Sequence, residues 1–177
     1  MSATPFELRP ICRQSAEDLA AVLDVYRRCE DFLALGPVAV ASMDMVQADL
    51  VISVEEGGTF CGIHRSSDGR MVGIVDFVPC GFEGEPDLGF LSLLMIAAPY
   101  RSAGLGARVV ALVEAKMRAA GAKRARSGVQ VNNPRAVCFW QRMGYTIISG
   151  PELMLDGTTV YRLGKDLEGG RREPENE

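Results

Sequence analysis

The sequence is short of the residues that usually carry metal or nucleophile chemistry. It has one histidine, His64, and five cysteines, Cys12, Cys29, Cys61, Cys80 and Cys138, an odd number, widely spaced, with no CxxC pair. A zinc site or a disulfide framework is therefore not expected, and the cysteines read as small buried hydrophobes. Cys138 could act as a nucleophile only with a base beside it and a depressed pKa. No cluster of lysine and arginine stands out and the net charge is −4, which argues against a nucleic-acid surface and leaves a cationic substrate open. No apolar run approaches the roughly 18 residues of a membrane span. No charged segment followed by an apolar one follows Met1, so the expected location is cytoplasmic. Internal repeats are absent. What remains is a chain of 177 residues, 47% hydrophobic, which is enough for one domain with a sizeable core. The expected division is one domain over residues 1–167 and a polar, disordered tail over 168–177.

The organising stretch runs from Leu88 to Ala120. An apolar run, Leu88 to Ala98, has the length and composition of a strand and is closed by Pro99, which cannot continue a ladder. Gly104 and Gly106 then stand at the start of a helix whose apolar positions Leu105, Val109, Leu112, Val113 and Met117 recur at three and four. Glycines there remove the side chains that would keep a ligand from the first-turn amides, which lack helical partners and carry the positive end of the helix dipole. Such a turn seats phosphate. Taken alone, the same two glycines also serve a tight turn.

The motif is longer than two glycines. Arg101-Ser-Ala-Gly104-Leu-Gly106-Ala107 resembles the pyrophosphate loop of the GNAT superfamily of acyl-CoA N-acyltransferases, Arg/Gln-x-x-Gly-x-Gly/Ala. After a second strand, Ala125 to Val131, the segment Asn133-Pro-Arg-Ala136-Val-Cys-Phe139-Trp140-Gln-Arg-Met-Gly144-Tyr145 is similar to that superfamily's Asn-x-x-Ala…aromatic…Gly-aromatic run. The likeness is specific over Leu88 to Tyr145. It implies a mixed α/β (α+β) fold, with a mostly antiparallel central sheet split by the cofactor cleft and flanked by helices.

The flanking sequence reads in the same terms. Phe6 to Arg13 fits a first strand. Ser15 is an N-cap with Asp18 as capping-box partner, opening a helix with Leu19, Val22, Leu23 and Tyr26 buried. Glu30 to Pro37 breaks it, and a second helix runs from Ser42 to about Val54 with Met43, Val46, Leu50 and Val54 inward. Thr59–Arg65 and Arg70–Val78 flank Ser66-Ser-Asp-Gly69, a hairpin signal. Asp76 lies inside that strand pattern, where a carboxylate must be paired or face a cleft; it is read as a structural hydrogen-bonder or as a grip on an amine. Cys80 to Asp87 is a turn-rich linker with three carboxylates. Gly121 and Gly144 end helices, Asn133-Pro134 opens one, and Tyr145–Ser149 pairs with Thr158–Leu163 across Pro151–Gly157. Exposed strand edges fit a homodimer.

The resemblance also implies a chemistry, transfer of an acetyl group from acetyl-CoA to a primary amine in a ternary complex, without a metal. The acceptor would be a small-molecule amine, a peptide N-terminus or a lysine. The Met95-Ile96-Ala97 backbone would pair with the pantetheine arm, and an amide around Leu94 to Ile96 would meet the oxyanion. The amides of Ser102, Ala103, Gly104, Leu105, Gly106 and Ala107 would hold the pyrophosphate beside Arg101, and Asn133 would contact the cofactor arm or the reacting carbonyl region from the opposite wall. Glu85 or Asp87 is the expected general base, and Asp31 and Phe32, with Glu30, the acceptor contacts. The sequence departs from the family pattern twice. Trp140 stands where many members carry a tyrosine that protonates the thiolate, and indole has no such proton; it is expected to pack against the pantetheine or acyl region. Gly128 stands where some members carry a glutamate. These losses leave a non-catalytic acyl-CoA-binding module as the alternative. A dinucleotide-binding oxidoreductase fits less well, because Arg124 and Arg126 occupy the neighbourhood where its acidic residue belongs.

Overall fold

The computed structural model describes residues 6–168, so most of the expected tail, from 169 on, lies outside the described residues. Seven strands, β1 (Phe6–Pro10), β2 (Thr59–Arg65), β3 (Met71–Val78), β4 (Leu88–Ile96), β5 (Arg124–Gln130), β6 (Thr146–Leu153) and β7 (Thr159–Asp166), form one sheet in the order β1-β2-β3-β4-β5-β7-β6. All neighbours are antiparallel except β4 and β5. That single parallel step needs a crossover, supplied by α4 (Leu105–Ala119). One parallel pair in seven strands is not the doubly wound sheet of a dinucleotide-binding fold, which removes the oxidoreductase alternative.

Helices cover both faces. α1 (Ala16–Arg27) and α3 (Met43–Glu55) bury Val22, Val25, Tyr26, Val46 and Leu50 against Phe60, Ile74 and Met95. The short α2 (Glu30–Leu33) follows α1 where a break is expected. On the other face α4 and α5 (Pro134–Arg142) pack Val109, Val113, Met117 and Trp140 on Val75, Leu91, Val129 and Leu163.

The ends of these helices follow the sequence. Ser15 Oγ accepts from Asp18 N and Ser42 Oγ from Met45 N. Gly121 and Gly144 take φ of 100° and 85°, which lets Ala122 N reach Met117 O and Tyr145 N reach Trp140 O. Four expectations change. Asp18 does not complete a capping box; its carboxylate accepts from Cys12 N instead, ending β1 at Pro10 rather than Arg13. Val54 is 57% exposed because Ser53 turns inward in its place to bond Asp76. β6 continues past Ser149 to Leu153 through a register shift. The strand ending at Ile96 is followed by a 3₁₀ turn, Ala98–Tyr100, instead of running to Ala98.

Candidate active site

The sheet opens at its centre. β4 and β5 pair over Leu88–Leu91 and Arg124–Ser127 and then part. Ser127 Oγ closes the last rung by donating to Leu91 O at 2.8 Å. Burial follows the split, since Leu88 and Leu91 are enclosed whereas residues 92–94 and Ile96 are only half-buried.

The ladder alternation says which backbone groups face the gap. Ala97 N donates to Val72 O, so Met95 and Leu93 also turn their peptide groups to β3 while those of Leu94 and Ile96 point into the gap. On β5, Val131 N bonds Thr159 O, so Val129 and Ser127 face β7 and Gly128 and Gln130 face the gap. This narrows the expectation for Met95-Ile96-Ala97. Only Ile96 of the three offers backbone to the gap; Met95 and Ala97 are spent on β3 and their side chains are buried. Gly128, where some relatives carry glutamate, is exposed, and a Cβ there would meet open space.

The loop after β4 is shaped for an anion. Ser102 and Gly104 both adopt left-handed φ, 66° and 76°, and deliver the chain into α4. α1, α3 and α5 each have a side-chain cap from Ser15, Ser42 or Asn133; α4 begins at Gly104 with none, and its first turn carries no acid. Since the first helical bond is Arg108 N to Gly104 O, the amides of Leu105, Gly106 and Ala107 point outward. Behind them Gly106 faces the Phe139 ring, 3.5 Å from where a Cβ would sit. A pyrophosphate fits this turn.

Arg101 does not reach toward that anion. Its Nε donates to Ile96 O at 2.7 Å and its Nη1 and Nη2 clasp both Asp31 oxygens, the second at 3.0 Å. Cys29 Sγ approaches the same Ile96 O at 3.4 Å. The guanidinium holds the Asp31 carboxyl below its ordinary range. Arg101 and Asp31, expected to touch cofactor and acceptor respectively, are instead one clamp that ties α2 to the end of β4.

The other residues expected at the cofactor or acceptor lie elsewhere or are engaged within the protein. Phe32 is half-buried and packs on the α1/α3 core. Asp76 is 6% exposed; its oxygens accept from Ser53 Oγ and Ser92 Oγ, each at 2.6 Å, which makes it a structural hydrogen-bonder and not a grip on an amine. Glu85 and Asp87 sit at the opposite end of β4 from the gap, held by Arg124 Nη2 at 2.6 and 2.7 Å. Eight residues separate Asp87 from Met95, about 26 Å of strand at ~3.3 Å per residue, and Arg124 keeps the Asp87 carboxyl low, so neither is placed to take a proton at the gap. Trp140 is 6% exposed with its ring against Tyr145 and Phe139, in the core rather than beside a ligand. Asn133 Oδ1 is engaged by Ala136 N as the α5 cap, at 3.1 Å.

A further feature has no counterpart among the sequence expectations. A cavity of ≈ 350 Å³ lies off the end of β5, between the loop after α2 (Leu35, Gly36, Pro37) and the β6–β7 turn (Asp156, Gly157, Thr158), with Val131, Asn132 and Thr159 completing its wall. Asn132 Nδ2 ties it to Leu35 O at 3.0 Å. Gln130 lies behind Gly36, with its Oε1 buried and without a protein donor among the described residues. Only the Gly36-Pro37 break hinted at this wall.

The profile of the Acetyltransferase (GNAT) family matches residues 19–145, nearly three quarters of the chain. An acetyltransferase from Thermus thermophilus shares 21% identity and superposes with a TM-score of 0.76, covering 94% of this chain and 99% of its own. The spermidine N-acetyltransferase from Vibrio cholerae, solved with CoA and spermine, shares 13% identity with a TM-score of 0.69 over 93% and 96%. A chain of the NatC complex bound to a Gag peptide and CoA shares 14% with a TM-score of 0.65 over 92% and 99%. The comparison with curated proteins finds no match. With the split sheet, the glycine turn and the family profile covering the same residues, the chain belongs to the GNAT acetyltransferase family.

Proposed function

We propose that this protein transfers an acetyl group from acetyl-CoA to a primary amine by direct attack in a ternary complex. The observation that carries the reading is the parting of β4 from β5 beside an uncapped α4. The outward amides of Leu105, Gly106 and Ala107 hold the pyrophosphate, and the helix dipole adds to their attraction. The gap-facing peptide groups of Leu94 and Ile96 take the place of a neighbouring strand for the pantetheine arm. Ile96 O is already held by Arg101, so the pairing falls on Leu94 and on Ile96 N. An amide of the same edge donates to the oxyanion as the tetrahedral centre forms. CoA-bound relatives of the same fold support the donor.

The acceptor must attack as the free amine. The carboxylates of Asp31, Asp76, Glu85 and Asp87 are each engaged elsewhere. The amine therefore loses its proton to solvent through the open gap before attack, and the thiolate leaves without a dedicated acid. A CoA thiol, with a pKa near the ~8.5 of a cysteine, tolerates this. With those four carboxylates engaged and Trp140 buried in the core, a second reading is a module that binds acyl-CoA without turnover.

Titration calorimetry with acetyl-CoA, followed by a thiol-release screen over peptide and small amines, separates the two. Binding with release on one amine class supports the transferase. Binding without release supports the module, and absence of binding sinks both.

A further inference from the structure

One residue of β4 decides which peptide groups face the gap. Asp76 stands opposite Leu93 and Phe77 opposite Leu91, so Ser92 is an extra residue with no partner on β3. Before it, Asp87 O accepts from Lys123 N and Arg124 N at 2.8 and 3.1 Å, and Leu91 O accepts from Ser127 Oγ. The odd-numbered peptide groups of that part therefore turn toward β5. After it the same parity turns the other way, since Ala97 N donates to Val72 O of β3 at 2.9 Å. The side chains change faces with the backbone: Leu91 belongs to the core under α4, whereas Leu93 and Met95 pack with the core under α1 and α3. Without the extra residue, Leu94 and Ile96 would spend their peptide groups on β3, and those of Leu93, Met95 and Ala97 would face the gap.

A bulge gives up a rung of the ladder, and here a side chain of the neighbouring strand holds it. Ser92 Oγ lies 2.6 Å from Asp76 Oδ2 and 3.0 Å from Asp76 O. Its one proton is thus shared between the carboxyl group and the backbone of β3, at the residue where the register shifts. The other carboxyl oxygen, Oδ1, accepts from Ser53 Oγ of α3 at 2.6 Å. Asp76 is buried, and a buried carboxyl group with both oxygens satisfied is fixed in place. Ser127 Oγ holds Leu91 O from the other side, so adjacent residues of β4 are pinned to β5 and to β3 where the sheet divides.

Resting on the transferase reading, we propose that Asp76 is a positioning residue for acyl transfer: through Ser92 it locks the β4 bulge and so aims the peptide groups of Leu94 and Ile96 at acetyl-CoA. The carboxyl group acts on the backbone and not on the amine. Loss of the tie lowers donor binding and turnover together.

Two serines bond the same carboxyl group at the same distance, which supplies the control. Ser92→Ala and Ser53→Ala each leave one Asp76 oxygen short of a donor, and both should lower the melting temperature. Only Ser92→Ala should also weaken acetyl-CoA binding in calorimetry, at least fivefold, and lower kcat at saturating acetyl-CoA, at least tenfold. Spermidine and the peptide Ala-Gly-Gly-Trp serve as acceptors, and their KM should stay within twofold of the parent. Ser92→Thr, which keeps the hydroxyl, should recover most of both losses. If Ser92→Ala does not fold, Ser92→Cys takes its place, a thiol being a weak donor. Smaller losses in the Ser92 variant, equal ones in the Ser53 variant, or a change confined to acceptor KM would overturn the proposal and leave the transferase standing. Acetyl-CoA binding with no thiol release across these and a wider amine set would overturn the transferase reading alone, because a calorimetric difference between the two serine variants upholds the lock and equal affinities overturn it.

Discussion

Gly104 carries two demands, a left-handed backbone and bare amides beyond it. Gly104→Asp keeps a residue that tolerates positive φ better than most but places a carboxylate on the amides of the first turn, where it caps the helix and repels a phosphate. Acetyl-CoA affinity should drop at least tenfold in calorimetry while the melting temperature holds or rises. Arg101 makes a different prediction. Because it grips Ile96 O and Asp31 instead of facing the anion, Arg101→Lys keeps a positive charge but loses the fork that joins three atoms at once. If charge alone mattered the lysine variant would bind normally; the geometry predicts weaker acetyl-CoA binding, with Asp31→Ala weakening it to a similar degree.

At this scale pH acts through two aspartates of opposite sign. Asp31 has a depressed carboxyl, so its contribution to the clamp is full above the ordinary ~3.9 of an aspartate and is lost as pH falls through its lower value. Asp49 is raised by burial while accepting a hydrogen bond from Tyr26 Oη, so it weighs against the folded state once ionised, and stability is regained as pH falls through its raised value. Asp49→Asn, which still accepts from Tyr26, should melt higher than the parent at pH 8, and the difference should shrink on acidification. Turnover has its own profile. With the proton going to solvent, kcat/KM should climb with pH along the acceptor amine's own ionisation; a plateau set near neutrality whatever the amine would show that a protein base takes the proton.

At the scale of elements, what was legible in the sequence was local. Ser15, Ser42, Asn133-Pro134, Gly121 and Gly144 mark helix ends because the cap is made by residues within five positions of each other. The loop from Arg101 to Ala107 was legible for the same reason, although the target of the Arg101 side chain was not. Of the misplaced residues, Asp76 and Asp87 depend on partners far along the chain and Trp140 on which side of its helix is covered. Trp140 carries the same helical period whether it faces ligand or core; only Tyr145 and Phe139 closing on it decide. Asp87 looked near the acceptor until its strand was laid beside β5, which brought Arg124 onto it. The sequence leaves Asp76 either structural or functional, and Ser53, on a helix 23 residues earlier, decides between the two. Beyond the Gly36-Pro37 break, the cavity was not legible, because its two walls lie more than a hundred residues apart.

Over the whole molecule, the deepest charge is also the clearest liability. Glu114 on α4 is 5% exposed and both its oxygens lie 2.8 Å from Lys165 Nζ, which also donates to Met143 O at 2.7 Å. Burying this pair joins α4, α5 and β7. Lys165→Met leaves the carboxylate with Arg118 alone, at 3.6 Å, and should cost about 3 kcal/mol in chemical denaturation, the lower end for a broken buried pair. The double variant Glu114→Leu/Lys165→Met should recover most of that loss, since no buried charge remains.

Among the described residues, the four paired positions between β4 and β5 are the only rungs joining the half of the sheet built from β1 to β4 to the half built from β5 to β7. A ligand lying along the open edges adds rungs to that seam. Hydrogen exchange should register this as slower exchange at the amides of Leu94, Ile96, Gly128 and Gln130 when acetyl-CoA is present, those being the groups that face across the seam. Slowing at the loop of α4 alone would mean that the phosphates are held while the two halves go on breathing independently.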